Sequence, residues 1–250
     1  MITRKSPEQI ALMRRAGKVV AEMHEECIRA AKPGSTTADV DAVARDVIER
    51  RGARSNFLGY HGFPAVVCTS PNDVIVHGIP SDEVVLEEGD ILSIDCGAII
   101  EGWHADAALT IPIGDVDDES KRLIEVTRSS LEAAIDHVVE GERLGDIGAA
   151  VEEVATGAGF SVVREYVGHG IGTAMHEEPQ VPNYGPPGRG LKLKEGLVLA
   201  IEPMVNAGGP ETEVLSDGWA VVTRDGRRSA HFEHTVAVTD HGPEVLTLPW

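Results

Sequence analysis

The chain carries the same pattern twice, and the two copies lie 107 positions apart. Shifted by that distance, residues 88–95 fall on residues 195–202, and each segment is a short apolar run that follows a glycine and ends in a carboxylate. The same offset pairs further positions, namely Gly34 with Gly141, Asp39 with Asp146, Val40 with Ile147, Val47 with Val154 and Gly52 with Gly159. A period this long that occurs only twice indicates a duplicated half-domain, not a solenoid.

Two helices are expected to open each half. Ser6 suits the N-cap of the first helix, because Pro7 then takes the first helical position and Gln9 completes a capping box. The apolar spacing predicts helices over about residues 7–31, 36–52 and 120–139, and another from beyond Gly141 to Gly157 or Gly159. The apolar runs that end at Asp95 and Glu202 are typical of buried strands. We therefore predict an α+β fold of two halves, about residues 7–115 and 120–240, related by a pseudo-twofold axis.

Length and composition favour one compact domain, residues 1–250. A chain of 250 residues can bury a single large core, and its 42% hydrophobic and 25% charged residues are an ordinary globular mixture. The first nine residues lack the apolar core of a signal peptide, and no apolar run approaches the roughly 20 residues of a membrane helix. Three unpatterned cysteines, Cys27, Cys68 and Cys96, suit a reducing compartment. We expect a cytoplasmic protein.

The formal net charge of −19 disfavours DNA as a partner, because such a surface repels a phosphate backbone. Two interpretations of the acidity stay open. Either the acidic residues keep the protein soluble, for example in a salt-rich cytoplasm, or some of them are carboxylates gathered around cations.

Four carboxylates stand where burial is expected. Asp95 and Glu202 each end an apolar strand, Asp106 lies among alanines, and Glu233 precedes the apolar run of residues 235–238. A buried carboxylate is costly unless it is paired or bound to a cation, and these segments offer no nearby lysine or arginine. Each acid alone could be a surface ion pair or a strand-end cap. Together they predict a site for two divalent cations, which would neutralise four negative charges.

Three histidines complete this candidate site. His169 lies between two glycines that leave its ring room to reach a partner, so we expect it to be the nitrogen ligand. Carboxylates with one imidazole suit manganese, iron, cobalt or magnesium, and zinc stays open. Two metals about 3.5–4 Å apart are an aminopeptidase arrangement. His77 and His176 are then available to hydrogen-bond a scissile amide, although both could instead be surface histidines beside prolines.

Long motifs give the chain a family resemblance. The string YVGHGIGTAMHEEPQVPNY from Tyr166 resembles the signature of type I methionine aminopeptidases, and LGYHGFP, VHGIP, SIDCGA, IEPMVNAG and FEHTVAVTD extend the likeness over practically the whole chain. The resemblance implies the pita-bread fold and a bacterial short form. It also implies removal of the initiator methionine from nascent polypeptides at the ribosome when the next residue is small, by a monomeric enzyme.

The resemblance also implies a role for each candidate residue. Asp95 would bind one metal ion, His169 and Glu202 the other, and Asp106 and Glu233 would bridge both, with cobalt, manganese, iron, nickel or zinc as the ion. Glu202 would also shuttle a proton. The substrate would contact His77, His176 and the walls of a methionine pocket, which are Tyr60, Phe63, Cys68, Met175 and Trp219. A monovalent cation would lie near Asn72, Val74 and Ser229.

The sequence departs from the family pattern at three positions. Phe57 and Met175 stand where bacterial members often have a cysteine and a phenylalanine, and Gly97 replaces a common threonine. These positions put substrate breadth and metal preference in doubt. Two alternatives remain open, a proline-specific peptidase and a non-catalytic binding protein of the same fold. The first usually has a further N-terminal domain, and the second typically loses metal ligands.

Overall fold

The computed structural model describes residues 2–248. Its helices are α1 (Pro7–Ala30), α2 (Thr37–Arg51), α3 (Asp118–Asp136) and α4 (Leu144–Gly157), with a 3-10 turn at Tyr60–Gly62. Its strands are β1 (Arg54–Ser55), β2 (Val67–Pro71), β3 (Val74–Val76), β4 (Ile91–Ile100), β5 (Trp103–Pro112), β6 (Ser161–Val162), β7 (Gly168–Gly170), β8 (Glu177–Val181), β9 (Val198–Ile201), β10 (Met204–Asn206), β11 (Thr212–Val214), β12 (Val221–Thr223), β13 (Ser229–His231), β14 (His234–Thr239) and β15 (Gly242–Val245). None of the helices in this range is long and apolar enough to cross a membrane.

Local capping fixes where the helices begin. The predicted capping box of α1 is present, because Ser6 N donates to Gln9 Oε1 at 2.9 Å and the Ser6 hydroxyl accepts from Gln9 N. The repeat-related residues Asp39 and Asp146 accept from the backbone N–H three residues earlier, each at 2.8 Å. Helices α2 and α4 consequently start 107 positions apart, as do strands β4 and β9.

Helix α3 differs from its predicted bounds at both ends. It begins two residues early because the Asp117 carboxylate accepts from Ser120 N at 2.7 Å and acts as the N-cap. It ends at Asp136, since the His137 and Val138 amides form short-range turn bonds to Ala134 O and Ile135 O. The apolar spacing continues to Val139, but the helix does not extend that far.

The strands form antiparallel sheets. Strand β4 pairs with β5 along its whole length and with β1 and β2 on its other edge. The second half contributes a five-stranded sheet in the order β15-β14-β9-β7-β8. Two three-stranded sheets, β13-β10-β6 and β11-β12-β3, flank them. The α+β class with mainly antiparallel sheets is confirmed.

Each half has its own apolar core. Buried residues of α1 and α2 pack on β2, β4 and β5 in the first half, with Met23, Val47 and Ile94 fully buried. Buried residues of α3 and α4 pack on β9, β10 and β14 in the second half, with Leu123 and Ile147 fully buried. The helices therefore cover the sheets and leave the opposite side for the site.

Backbone hydrogen bonds join the two halves at the middle of the molecule. Ala108 and Glu233 exchange two N–H···O bonds, at 3.3 and 2.8 Å. The Thr110 hydroxyl donates to His231 O at 2.9 Å and accepts from His231 N at 2.8 Å. The strand that carries Asp106 is thus tied directly to the segment that carries Glu233.

A pair of glycine substitutions tests this packing. A Cβ at Gly17 of α1 would overlap the Leu246 carbonyl, with the carbonyl carbon at 2.7 Å, whereas a Cβ at Gly157 of α4 has no neighbour within 4 Å. We expect Gly17→Ala to lower the free energy of unfolding by about 1–3 kcal/mol through overpacking. Gly157→Ala should leave it unchanged or raise it by up to about 1 kcal/mol. Urea unfolding measures both, and equal stabilities would contradict the close helix contact.

Candidate metal centre and active site

Five predicted ligands line one cavity. Asp95 lies on β4, Asp106 on β5 and His169 on β7, while Glu202 directly follows β9 and Glu233 directly precedes β14. Ligand atoms of Asp106, His169 and Glu233 lie within 4.8 Å of one another. His169 Nε2 is 3.5 Å from Glu202 Oε1. The structure therefore brings both halves' carboxylates and the histidine to the same place.

Strand register explains why the first two acids meet. Asp95 stands opposite Ala108 and Asp106 stands opposite Gly97 in the β4–β5 pair. The two acids are therefore diagonal neighbours on one face of the sheet, a separation that their side chains can span. The two carboxyl groups are close enough for each to shift the pKa of the other.

The electrostatics of the cluster call for cations. Burial raises the pKa of Asp95 to about 7, and burial together with the neighbouring carboxylates raises the pKa of Asp106, Glu202 and Glu233 well above the ordinary range. Among the described residues, no lysine or arginine forms an ion pair with them. Asp95 Oδ1, Asp106 Oδ1 and Glu233 Oε1 are buried without a hydrogen-bond partner. Oxygen atoms in this condition fit a divalent cation.

His169 is prepared to offer a nitrogen lone pair. Its Nδ1 lies 2.9 Å from Gly170 O. Because a carbonyl oxygen only accepts, Nδ1 carries the proton and Nε2 faces the acids as a free base. Burial lowers the pKa of His169 to about 4, so the ring is neutral. The flanking glycines are required by packing, since a Cβ at Gly168 would overlap Ala200 O and one at Gly170 would overlap Glu178 O.

An apolar pocket adjoins the acids in the same cavity. Phe63 packs edge-on against Trp219, with ring centroids 5.1 Å apart, and Phe57 packs edge-on against Phe63 at 6.5 Å. Cys68 and Met175 add two sulfur atoms. The cavity volume of about 160 Å³ is below the roughly 300–1,000 Å³ of pockets that enclose whole drug-sized ligands. It suits one side chain. Phe57 and Met175, two positions at which the sequence departs from the family pattern, therefore lie in the pocket wall.

The two other predicted histidines line this cavity as well. His77 follows β3 with a positive φ of 62° and packs edge-on against Tyr166 and Trp219. Burial lowers its pKa to about 4. His176 precedes β8, and its Nδ1 lies 2.8 Å from the Tyr60 hydroxyl. His77 is half-buried and His176 is exposed, and both line the cavity that holds the acids and the apolar pocket.

The loop before His176 is held from a distant part of the chain. The carboxylate of Glu177 accepts from Thr173 N at 2.9 Å, from the Thr3 hydroxyl at 2.7 Å and from Lys5 Nζ at 2.8 Å. The amino-terminal segment, residues 3–5, also bonds the loop before β9, through Lys5 N to Gly196 O at 2.6 Å. Lys5 is buried, and no local pattern of residues indicates this role.

His231 is a site residue that the motif analysis did not single out. Its ring is buried, its Nε2 has no hydrogen-bond partner among the described residues, and that atom lies 3.9 Å from Glu202 Oε2. The available signal is its place two positions before Glu233, just as His104 stands two positions before Asp106.

The residues of the predicted monovalent site lie near one another. Ser229 N donates to Asn72 O at 2.9 Å, and Val74 lies in β3, whose partner strand is β12. Their role as cation ligands stays a prediction.

Comparison with known proteins agrees with this geometry. The model of metallopeptidase family M24 matches residues 6–240. A methionine aminopeptidase of Clostridium acetobutylicum is 52% identical over 248 residues, which cover 99% of each chain. The crystal structure of a methionine aminopeptidase from Thermotoga maritima superposes with a TM-score of 0.98 at 45% identity, covering 99% of this chain and 100% of that one. A prolidase from Pyrococcus furiosus shares the fold at a TM-score of 0.80 and 22% identity, and this chain covers 66% of it.

A cavity of buried acids with one neutral histidine is what a metal-dependent peptidase requires, and the chain belongs to metallopeptidase family M24. The pita-bread fold and divalent-metal binding follow from that membership. Within the family the chain belongs with the type I methionine aminopeptidases, so the resemblance of its motifs is confirmed.

Metal addition provides a test of the cluster. Manganese or cobalt added to metal-free protein should raise the free energy of unfolding, by about 2.7 kcal/mol at a free concentration one hundred times Kd. The gain should shrink as the pH falls through 7, because protons held by Asp95 and its neighbours then compete with the metal. Urea unfolding at pH 5.5 and pH 8 measures this. An equal gain at both pH values, or in Asp106→Ala, would contradict the assignment.

Proposed function

We propose that this protein removes the amino-terminal methionine from polypeptides whose second residue is small. One observation carries the proposal: the acid and histidine cluster lines the same cavity as an apolar, sulfur-containing pocket sized for one side chain. A thioether side chain suits a polarizable lining of this kind. Relatives at up to 52% identity over the full chain carry the name methionine aminopeptidase.

Two divalent ions are proposed: Asp95 would hold one, His169 and Glu202 would hold the other, and Asp106 and Glu233 would contribute to both. Cobalt, manganese, iron, nickel and zinc are the candidate ions. When bound, such a pair supplies a nucleophilic water near neutral pH and polarises the scissile carbonyl. Four carboxylates suit two ions better than one because their combined charge is −4.

The chain's own residues would bind and orient the substrate. The methionine side chain would lie among Phe63, Cys68, Met175 and Trp219, which line the cavity beside the acids. Burying it there excludes water and places the scissile bond next to the carboxylates.

Proton movement would fall to Glu202 and the two neutral histidines. The Glu202 carboxylate lines the cavity beside the other acids, where it would accept the proton of the attacking water and pass it to the leaving amine. His77 and His176, each with an imidazole pKa lowered by burial, would donate hydrogen bonds to the scissile amide and the developing oxyanion without carrying charge.

The natural substrates would be the amino termini of nascent polypeptides. We further propose that the enzyme acts as a monomer at the ribosome in the cytoplasm and that residues 1–250 form one catalytic domain of two similar halves. The monovalent cation at Asn72, Val74 and Ser229 belongs to the same set of proposals. The backbone bonds between Ala108 and Glu233 support the single domain.

A peptide comparison tests the substrate class. The metal-loaded protein should hydrolyse Met-Ala-Ser and release methionine, and it should leave an X-Pro dipeptide intact. Product analysis by chromatography distinguishes the two reactions. The prolidase likeness, at 22% identity, supports the shared fold alone. Exclusive cleavage of the X-Pro dipeptide would overturn the proposal, and failure to bind metal or cleave either peptide would favour a binding protein.

Removal of one histidine separates catalysis from metal binding. His77→Ala should lower kcat/KM by about 10²–10⁴-fold, the range for loss of a positioned proton donor, while two metals per chain are retained. His77 makes ring contacts to Tyr166 and Trp219 and forms no ion pair with the acids among the described residues. Steady-state kinetics and metal analysis of the same sample check both parts. Loss of metal would show that His77 is a ligand instead.

A further inference from the structure

Asn56 lies buried beside the β4–β5 pair, although no motif in the sequence singles it out. Its backbone N–H donates to Gly97 O at 3.2 Å, and its side-chain Nδ2 donates to Ala105 O at 3.0 Å. Its residue exposure is 5%. The side chain therefore bridges two adjacent strands, and its amide ends next to the residue that precedes Asp106.

Gly97 leaves the space that Asn56 fills. A Cβ at position 97 would overlap the Asn56 side chain, with Asn56 Cγ at 2.7 Å. Gly97 lies inside a regular strand, and its backbone does not need a left-handed conformation. Glycine is therefore required here for room and not for its flexibility. The absence of a side chain at 97 and the presence of the amide at 56 are two parts of one arrangement.

The arrangement of Asn56 and Gly97 lies beside Asp106, which is proposed to bind both metal ions. Gly97 stands opposite Asp106 in the strand register. The Asn56 amide holds the backbone beside that carboxylate, because its Nδ2 donates to the carbonyl of Ala105, the residue directly before Asp106. A hydrogen bond of this kind restrains the orientation of the neighbouring ligand.

We propose that Asn56 and Gly97 form a coupled pair that positions the Asp106 carboxylate for metal binding. In this pair, the side-chain amide of Asn56 occupies the space that a side chain at position 97 would take. Asn56 is a positioning residue, since it acts through Asp106 and does not touch the substrate. The inference rests on the proposed assignment of Asp106 as a metal ligand, and it does not depend on which peptide is cleaved.

Four variants separate positioning from packing. Asn56→Ala should weaken manganese binding by about 10–100-fold, the usual cost of losing a partner that orients a ligand. Gly97→Ala should lower the urea midpoint, because its Cβ overlaps Asn56. The double variant Asn56→Ala/Gly97→Ala should regain the midpoint lost by Gly97→Ala but keep the weakened manganese binding, since the amide is still missing. If Asn56→Ala does not fold, Asn56→Ser takes its place with the same expectation.

Asn206→Ala is the matched control. Asn206 is also fully buried, and its Nδ2 likewise donates to a backbone carbonyl, that of Gly209, at 2.9 Å. This variant should lose stability and bind manganese as the unmodified protein does. Calorimetric titration of metal-free protein measures each Kd without any peptide.

Two outcomes would overturn the inference. One is an unchanged manganese Kd in Asn56→Ala, and the other is an equal loss in Asn206→Ala, which would reveal a general effect of lost stability. The unmodified protein is assayed with Met-Ala-Ser in parallel. Failure of that assay concerns the proposed function, whereas failure of the Kd comparison concerns the coupled pair alone.

Discussion

The enclosure of four carboxylates beside one another in one cavity is the constraint on which the rest of the structure depends. Asp95, Asp106, Glu202 and Glu233 have no lysine or arginine partner among the described residues, and burial raises the pKa of each. Without cations this cluster works against folding, because like charges out of water repel and lose hydration. With divalent ions the same atoms become ligands. The two apolar cores, the capped helices and the strand pairing hold the four side chains in place for binding these ions.

The predicted duplication would account for how the acids come to meet. Asp95 lies inside β4 and not at its end as predicted, whereas Glu202, at the position 107 residues later, directly follows β9. Asp106 and Glu233 lie on segments joined through the Ala108–Glu233 backbone bonds. Two copies of one motif facing each other would deliver two pairs of acids to one centre. His169 breaks this equivalence, because its Nε2 lies 3.5 Å from Glu202 Oε1, whereas no histidine within residues 2–248 forms an ion pair with Asp95. The two proposed ions would therefore be unequal, with the weaker one on the side of Asp95.

Features with a local cause could be predicted from the sequence, and features that depend on long-range packing could not. The capping box at Ser6, the strands before Asp95 and Glu202 and the pattern of acids follow from residues within one short segment. The long motifs identified the family. The ends of α3 also have a local cause, the Asp117 cap and the turn bonds of His137 and Val138, but the apolar spacing alone does not show them. The coupled pair of Asn56 and Gly97 and the contact of Lys5 with Glu177 depend on neighbours far away in the chain, so no spacing or propensity rule reveals them. The individual ligand roles remain predictions, although all the candidate side chains share one cavity.

The amino-terminal segment has a consequence for the order in which the molecule assembles. Lys5 holds Glu177, which is 172 positions away, and the Arg4 side chain bonds Glu195 O, 191 positions away. Contacts of such high sequence separation form late and slowly, because a long loop must close before they contribute. During synthesis the first residues emerge long before their partners exist. The loop that carries His176 can reach its final form only when most of the chain has left the translation machinery. Peptidase activity should therefore be among the last properties the folding chain acquires.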